Sequence, residues 1–442
     1  MNSKATNCLS VADELREWGD GRVAAVRQKV AARGEEQGLS AADAEKASVE
    51  ELIAILAKPE QWAGDDKTGL AVCTRLMELG QDSFAQGDRG GMPDAAQMME
   101  QMEQMMPPAA RRLMMQDPKL KELMQQKGLS MRLNGHPRLT DGPAGVVGCI
   151  MPLLEVNDDT LAAARGVVDA ALLTRADIQG EPTEPSHDKT LLHTTCMKLL
   201  AELTAGCGGV CGIGGGGLQG ARWMETEAGS EYQTMLCEAG ALKAAVLVCD
   251  GPGATSACGV IRSILFGHDG REGHNDPVAA AARREHAASL GAIETLVDLI
   301  KQASTEPGAP GLSSCAFTVE NFPEDCKDLR EMHLRGMFFA LQRLCLGFES
   351  NGAGAARRAR AAALGAIPAI VDAVASEFSE DLFKKGLSTA FTIAGAGKGV
   401  APHEEDRALK AQWDQAVAKH PDLQRKLTEM MAAKMGRMAP FG

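Results

Sequence analysis

The chain has 442 residues, of which 45% are hydrophobic but only 4% aromatic, and its formal net charge is −13. An apolar content made of Ala, Leu, Val, Ile and Met favours helices, because sheets prefer the aromatic residues that are scarce here. The acidic charge argues against nucleic acid or an anionic membrane as the main partner, since both repel an acidic surface.

The cysteine pattern and the hydropathy of the chain predict its compartment. Twelve cysteines are scattered without a Cys-x-x-Cys pair, and a chain of this length needs no disulfides, so a reducing compartment is expected. No N-terminal stretch has the basic start and apolar run of a signal peptide, and no apolar run approaches the roughly 18 residues of a membrane span. We therefore expect a protein of the cytoplasm or nucleus without membrane insertion.

Two regions precede the main body of the sequence. Residues 1–90 are predicted to be a helical N-terminal region, with a helix pair at 49–79 that is one candidate for a divergent repeat. Residues 91–140 are predicted to be a Met-rich helical linker, since ten of the 22 methionines fall between Met92 and Met131. Five of these methionines share one face of a helix by their spacing: Met98, Met99, Met102, Met105 and Met106.

An internal duplication is the strongest signal in residues 141–415. Residues 281–300 and 355–374 are identical at 12 of 20 positions. In each copy a glycine, Gly291 or Gly365, separates an Ala/Arg-rich helix from a second helix with apolar residues at helical spacing. Glycine ends a helix because it adopts the left-handed conformation that other residues resist. A weaker third copy surrounds Gly240.

The stretch Leu-Gly-Ala-Ile-Pro-x-Ile-Val at 364–371 resembles the junction between the first and second helices of armadillo repeats. The resemblance implies an all-α fold, an armadillo-type right-handed α-solenoid in which third helices line a concave groove. Third helices are expected at 255–266, 329–347 and 379–394, and a further helix pair at 144–174. Insertions are expected at 206–221 and 303–324, and a Met-rich C-terminal helix at 416–442.

Motifs that carry chemistry are weak in this sequence. The glycine run 206–217 lacks the Gly-Lys-Ser/Thr of a phosphate-binding loop. Cys207 and Cys211 would need two more zinc ligands, for which His187 and His193 are poorly spaced. The loop with His268 and His274 is expected only to connect helices. No catalytic signature is present, so we expect a non-enzyme with no catalytic residue, metal, cofactor or small-molecule substrate.

The resemblance also assigns positions to charged and aromatic residues. It places five first-helix arginines on the outer rim, where a solvated face is expected: Arg283, Arg284, Arg357, Arg358 and Arg360. On the third helices it places Phe339 where the family's peptide-binding members have Trp, and Arg343 where they have Asn, with Arg262 near the same point in the preceding repeat. Arg262, Phe339 and Arg343 are therefore the predicted protein-binding residues, suited to an acidic or aromatic-bearing segment.

Two functions remain open from the sequence. The first is a non-enzymatic scaffold or adaptor that binds another protein or peptide in the groove. The alternative is a chaperone or co-chaperone that binds hydrophobic client segments through its Met-rich helices. The segments after Asp117-Pro118 and His420-Pro421 resemble the Asp-Pro helical modules of co-chaperones, and methionine re-packs readily around varied ligands.

Overall fold

The computed structural model describes eleven stretches of the chain, and all of them are helical or connect helices. They are residues 3–33, 39–76, 156–180, 187–205, 227–251, 253–265, 277–305, 329–347, 352–375, 379–396 and 406–438. No strand occurs within these residues, so the expected all-α class is confirmed. Within the same residues no helix is both long and apolar enough to cross a membrane.

The N-terminal part begins with a long helix and continues with short ones. They are α1 (Ser3–Arg33), α2 (Ala41–Ala44), α3 (Val49–Leu56), a 3-10 turn (Pro59–Gln61) and α4 (66–76). Helix α3 starts at a capping box, in which the Ser48 hydroxyl accepts from the Glu51 N–H and the Glu51 carboxylate accepts from the Ser48 N–H. This reciprocal pair satisfies two N–H groups that a helix start leaves without partners.

The helix pair predicted at 144–174 is described only from residue 156 onward. Asn157 caps the second helix of that pair, α5 (Asp158–Gln179), and α6 (His187–Ala205) follows it. It is α6, and not α5, that packs against the next third helix. The Asn-Asp-Asp sequence at 157–159 marks the start of a helix because its first side chain accepts from the Thr160 N–H, which is the usual role of Asn at that position.

Three consecutive helix triplets make up the repeated part of the chain. The first is α7 (Glu227–Ala239), α8 (Ala241–Val248) and α9 (Ala254–Ile264). The second is α10 (Pro277–Ser289), α11 (Ala292–Thr305) and α12 (Leu329–Cys345). The third is α13 (Ala353–Ala363), α14 (Ala366–Ala375) and α15 (Glu380–Ile393). We call α9, α12 and α15 the third helices, and each lies within a few residues of its predicted range.

The glycine corners predicted from the duplication are confirmed. Gly240, Gly291 and Gly365 have φ values of 95°, 79° and 83° and each separates a first from a second helix. Ile367 is fully buried just after the corner, as expected. Leu290 and Leu364 are only half-buried, although each packs against the core, so the expectation that they point into it holds only in part.

Successive triplets are joined by contacts between equivalent helices. Helix α6 packs against α9, α9 against α12, and α12 against α15. The second helices α11 and α14 also pack together. Between these two rows lies one core of aliphatic side chains, with Phe338 as its largest fully buried residue in the third helices.

Helix α1 lies across the second-helix side of the repeats. It packs against α5 and α8, and the Trp18 ring sits so close to Gly240 that a Cβ there would lie 2.8 Å from Trp18 Cζ2. An ion pair joins Arg22 to Asp169, and another joins Arg27 to Asp177 at 2.5 Å. Gly240 therefore turns the chain and also leaves space for the Trp18 ring, since it has no side chain.

The C-terminal part consists of two helices, of which the second lies within the range 416–442 predicted for a Met-rich helix. They are α16 (Asp406–Ala418) and α17 (Pro421–Met438), separated at His420. Proline has no N–H to continue a helix and is favoured in a first turn, so Pro421 starts a new helix. Helix α16 packs against α14, and Trp413 lies on Phe391 with ring centroids 4.6 Å apart.

The expected solvent exposure of the first-helix arginines is wrong for four of the five. Arg283, Arg284, Arg357 and Arg358 are each at most 4% exposed. Arg283 and Arg357 are buried because main-chain carbonyl oxygens of neighbouring helices accept their N–H groups. Arg360 is half-exposed and pairs with Glu294. A buried guanidinium is stable when hydrogen bonds compensate for the lost water.

Several predicted features lie outside the described residues. These are the Met-rich linker with Met102 and Met105, the glycine run with Cys207 and Cys211, the loop with His268 and His274, and most of the insertion at 303–324.

Candidate protein-binding surface on the third helices

Helix α12 presents one row of partly exposed side chains between its neighbours. Arg335, Gly336, Phe339, Gln342 and Arg343 are half-exposed, and their spacing places them on one face of the helix. The opposite face is in the core, where Leu334, Phe338 and Leu341 are fully buried. The predicted residues Phe339 and Arg343 therefore share the outward face of α12.

The Phe339 ring is contacted by cations from the helices on both sides. The Arg262 guanidinium on α9 lies 5.3 Å from the ring centroid. The Lys385 ammonium on α15 lies 3.1 Å from it. A cation over an aromatic face is attracted by the ring's negative charge density, which is worth about 0.5–2 kcal/mol depending on exposure. The structure thus brings together Arg262 and Phe339, as predicted, and adds Lys385.

Gln342 ties α12 to α15 beside this ring. Its side-chain oxygen accepts from the Lys385 ammonium, and its amide nitrogen donates to the Ser388 hydroxyl at 2.8 Å and the Thr392 hydroxyl at 3.2 Å. Two turns before Gln342, Arg335 pairs with Asp381 at 3.4 Å. We call the six residues Arg262, Arg335, Phe339, Gln342, Arg343 and Lys385 the third-helix surface.

Glycines allow the third helices to approach their neighbours closely. A Cβ on Gly336 would lie 3.3 Å from Cys258 Cβ on α9. A Cβ on Gly386 would lie 2.2 Å from Val374 Cγ1 on α14 and 3.0 Å from Phe338 Cε2 on α12. At position 386 only glycine fits without moving a neighbouring side chain. Gly386 therefore sets part of the spacing between α12, α14 and α15.

The charge of the third helices differs from that of the whole chain. Residues 254–264, 335–345 and 382–393 contain no Asp or Glu. The same stretches contain five cations: Arg262, Arg335, Arg343, Lys384 and Lys385. The first turns of α12 and α15 add Glu331, Glu380 and Asp381. Two of the five cations are paired there, Arg335 with Asp381 and Lys384 with Glu380.

Sequence reasoning missed Lys385 and Gln342. The available signal was the pair Lys384-Lys385 inside a predicted third helix. Ser263, which follows Arg262 in the sequence, is buried, and its carbonyl oxygen accepts from the Gln233 side chain at 2.8 Å.

The histidines in this region are buried in the protein. His333 on α12 is 1% exposed, and burial lowers the pKa of its imidazole to about 4. His193 on α6 is buried with its Nδ1 3.0 Å from the Thr174 hydroxyl. In the part of the chain that the structure describes, no three His, Cys, Asp or Glu side chains are grouped as a metal site would require.

A concave region of about 520 Å³ lies between α1 and the helices α5, α8 and α11. Arg175 and Asp250 pair within its lining at 3.1 Å, and Arg360 and Glu294 pair on another side. These charges largely neutralise each other. The third-helix surface, in contrast, has cations that outnumber its anions.

Comparison with known proteins assigns no family to the chain. No protein-family model matches the sequence, and no curated protein is significantly similar to it.

Proposed function

We propose that this chain is a non-enzymatic scaffold of the armadillo type, a right-handed solenoid whose third helices bind a segment of another protein. The observation that carries the proposal is the convergence of Arg262, Phe339 and Lys385, from the third helices of three successive triplets, on one partly exposed site. Arginine and aromatic side chains often dominate interface energies because they combine apolar area with directed hydrogen bonds. We also propose the cytoplasm or nucleus as its compartment.

Site-specific photo-crosslinking tests the proposal. A photoreactive amino acid replaces Ser388, which is exposed on α15 beside Gln342. The matched control replaces Asp298, which is exposed on the second helix α11. In cells that make the protein, we expect the group at 388 to label defined segments of one dominant partner and the group at 298 to label none of them.

Two other results would point elsewhere. Labelling from 298 and not from 388 would move the binding site to the second-helix side and contradict the proposal. Labelling of many unrelated apolar segments, lost when Met102 and Met105 are changed to Ser, would favour the alternative of a chaperone for hydrophobic clients. The first Met-rich segment of that alternative lies outside the described residues, and the second is α17 (Pro421–Met438).

A further inference from the structure

Two buried cysteines from distant parts of the chain are in contact between α4 and α6. Cys73 lies on α4 and Cys196 on α6, and both are free thiols that water does not reach. A hydrogen bond joins the two thiols. The fold therefore places side by side two sulfur atoms that the sequence separates widely.

Helices α4 and α6 approach each other closely one turn before this contact. A Cβ on Gly69 would lie 2.8 Å from Leu192 Cδ1 and 3.0 Å from Leu192 Cδ2. Gly69 and Leu192 each lie one helical turn before the cysteine of their own helix, so the two contacts follow the same faces of α4 and α6. A disulfide needs Cα atoms about 4.4–6.8 Å apart. A glycine followed by two small thiol side chains favours this separation.

Two other sets of buried cysteines provide comparisons. Cys345 is also fully buried, and burial raises the pKa of its thiol to about 12, but the ionisable groups beside it are arginines and not a second thiol. Cys249 and Cys258 are hydrogen-bonded like the first pair, but they join the end of α8 to α9 within one triplet. The contact of Cys73 with Cys196 differs from both, because it connects the N-terminal helices to a helix that packs on the repeats.

Oxidation of this pair by a peroxide has a balanced route. One thiolate attacks a peroxide oxygen, the O–O bond breaks, and a sulfenic acid and hydroxide form. The second thiol then attacks the sulfenic sulfur, so that the S–S bond forms, the S–O bond breaks and the oxygen leaves as water. The two sulfurs lose two electrons, which reduce the peroxide. The hydrogen bond with Cys73, together with burial, raises the pKa of the Cys196 thiol. Since the thiolate is the reactive form, the first step requires a transient separation of α4 from α6.

We propose that Cys73 and Cys196 form a reversible disulfide when the protein meets a peroxide, and that this bond covalently joins the N-terminal helices to the repeated part of the chain. Helix α6 packs against α9, so the bond fixes α4 beside the first of the third helices. In a reducing compartment such a disulfide is transient and redox-sensing. The inference goes beyond the proposed binding function and does not depend on it.

The test treats the reduced full chain with hydrogen peroxide at neutral pH, blocks the remaining thiols with iodoacetamide and digests the protein with trypsin without reduction. Tryptic peptides 68–75 and 190–198 contain one cysteine each, so mass spectrometry identifies a disulfide between them. We expect the linked pair to become the main form of both peptides and to disappear after dithiothreitol. Peptide 344–357, which carries Cys345, should stay reduced at the same dose.

Stability measurements test whether the bond joins the two parts of the fold. The denaturant midpoint of the oxidised protein should be higher than that of the reduced protein, because a disulfide across a long loop restricts the unfolded chain. Cys196→Ser should abolish both the linked peptides and this shift in midpoint. The matched control is Cys345→Ser, which removes an equally buried thiol and should retain both. Circular dichroism checks that each variant is folded, and the peptide assay on the native sequence needs no variant.

Three results would overturn the inference. In the first, peptides 68–75 and 190–198 stay unlinked at a dose that oxidises Cys345. In the second, a mixture of isotopically labelled and unlabelled protein gives linked pairs with one labelled half, which would place the bond between molecules. In the third, the oxidised and reduced proteins have the same denaturant midpoint, which would mean that the bond does not hold α4 to α6. Crosslinking from 388 tests the proposed function separately from all three.

Discussion

Arg357 donates through its Nε a 2.7 Å hydrogen bond to the carbonyl oxygen of Leu344, in the last turn of α12. Its Nη2 donates to the Leu346 carbonyl at 3.0 Å. Arg283 does the same for the preceding repeat, where its Nε donates to the Ile264 carbonyl at the end of α9 at 2.9 Å. The carbonyl oxygens in the last turn of a helix accept no hydrogen bond from within that helix. An arginine of the next first helix therefore donates to them.

The first prediction concerns this contact. Arg357→Ala should lower the free energy of unfolding by about 3 kcal/mol or more, because it leaves buried carbonyl oxygens without donors and a cavity beside them. Arg425→Ala, at an exposed ion pair on α17, should change it by less than about 1 kcal/mol. Chemical denaturation measures both. A similar, small effect of the two substitutions would mean that the arginine does not stabilise the end of α12.

The second prediction tests the core after the glycine corner. Ile367 is fully buried, whereas Leu364, three residues earlier, is half-buried. Ile367→Ala should cost about 2–5 kcal/mol, because it leaves a cavity in a packed core. Leu364→Ala removes a side chain that water already reaches and should cost less. The reverse order, measured by the same denaturation experiment, would contradict the assigned burial.

The third prediction concerns the docking of α1. Gly240→Ala forces a left-handed conformation on alanine, which costs about 1–2 kcal/mol, and it also places a Cβ 2.8 Å from Trp18 Cζ2. In a Trp18→Ala background the second effect disappears. The double-mutant cycle should therefore give a coupling of about 0.5 kcal/mol or more. An identical cost of Gly240→Ala in both backgrounds would show that the tryptophan does not rest on this corner.

The fourth prediction is a pH dependence of stability. Burial lowers the pKa of His333 from 6.5 to about 4, so between these values the unfolded chain binds a proton that the folded chain excludes. Stability should fall as the pH decreases through this window, by about 1.4 kcal/mol per pH unit from this group. Comparing unfolding free energies of the native protein and His333→Gln at pH 7 and pH 5 isolates the contribution. A constant difference between them would refute it.

The fifth prediction concerns binding. For the partner segment identified by crosslinking from 388, Arg343→Ala should weaken affinity by about 1 kcal/mol or more. Lys301→Ala on α11 should have little effect. Arg358→Ala would seem a natural outer-face control from the sequence, but Arg358 is 1% exposed, so that substitution would test stability. Calorimetric titration measures the two affinities, and an equal loss would place the partner outside the third-helix surface.

The helices could be predicted because their signals are local. A glycine between two segments of apolar residues at helical spacing predicts each corner. Ser379 before Glu380 predicts the start of α15, where the Ser379 side chain accepts from the Leu382 N–H. The resemblance to armadillo repeats, and not a local signal, placed Phe339 and Arg343 on a third helix, and both are half-exposed on α12.

The remaining features depend on contacts between residues far apart in the sequence. The resemblance placed Arg283 on a solvated outer rim, but its partners include Ser230 and Gln233 of α7, about fifty positions away. Lys385 reaches Phe339 only because Gly386 lets α15 pack closely on α12 and α14. Helix α1 buries Leu15, Val23 and Val26 in the core at helical spacing, but which helices they meet depends on residues far along the chain.

Because a first-helix arginine donates to the end of the third helix before it, the folded unit ends one helix later than the sequence repeat. A fragment that ends at residue 347, just before α13, retains the whole of α12 but lacks the guanidinium that closes its final turn. One that ends at residue 363 keeps that closure, because α13 carries Arg357. The chain should therefore be truncated, or extended with further repeats, after a first helix. A chain divided at the apparent repeat boundary leaves the last carbonyl oxygens of a third helix without donors.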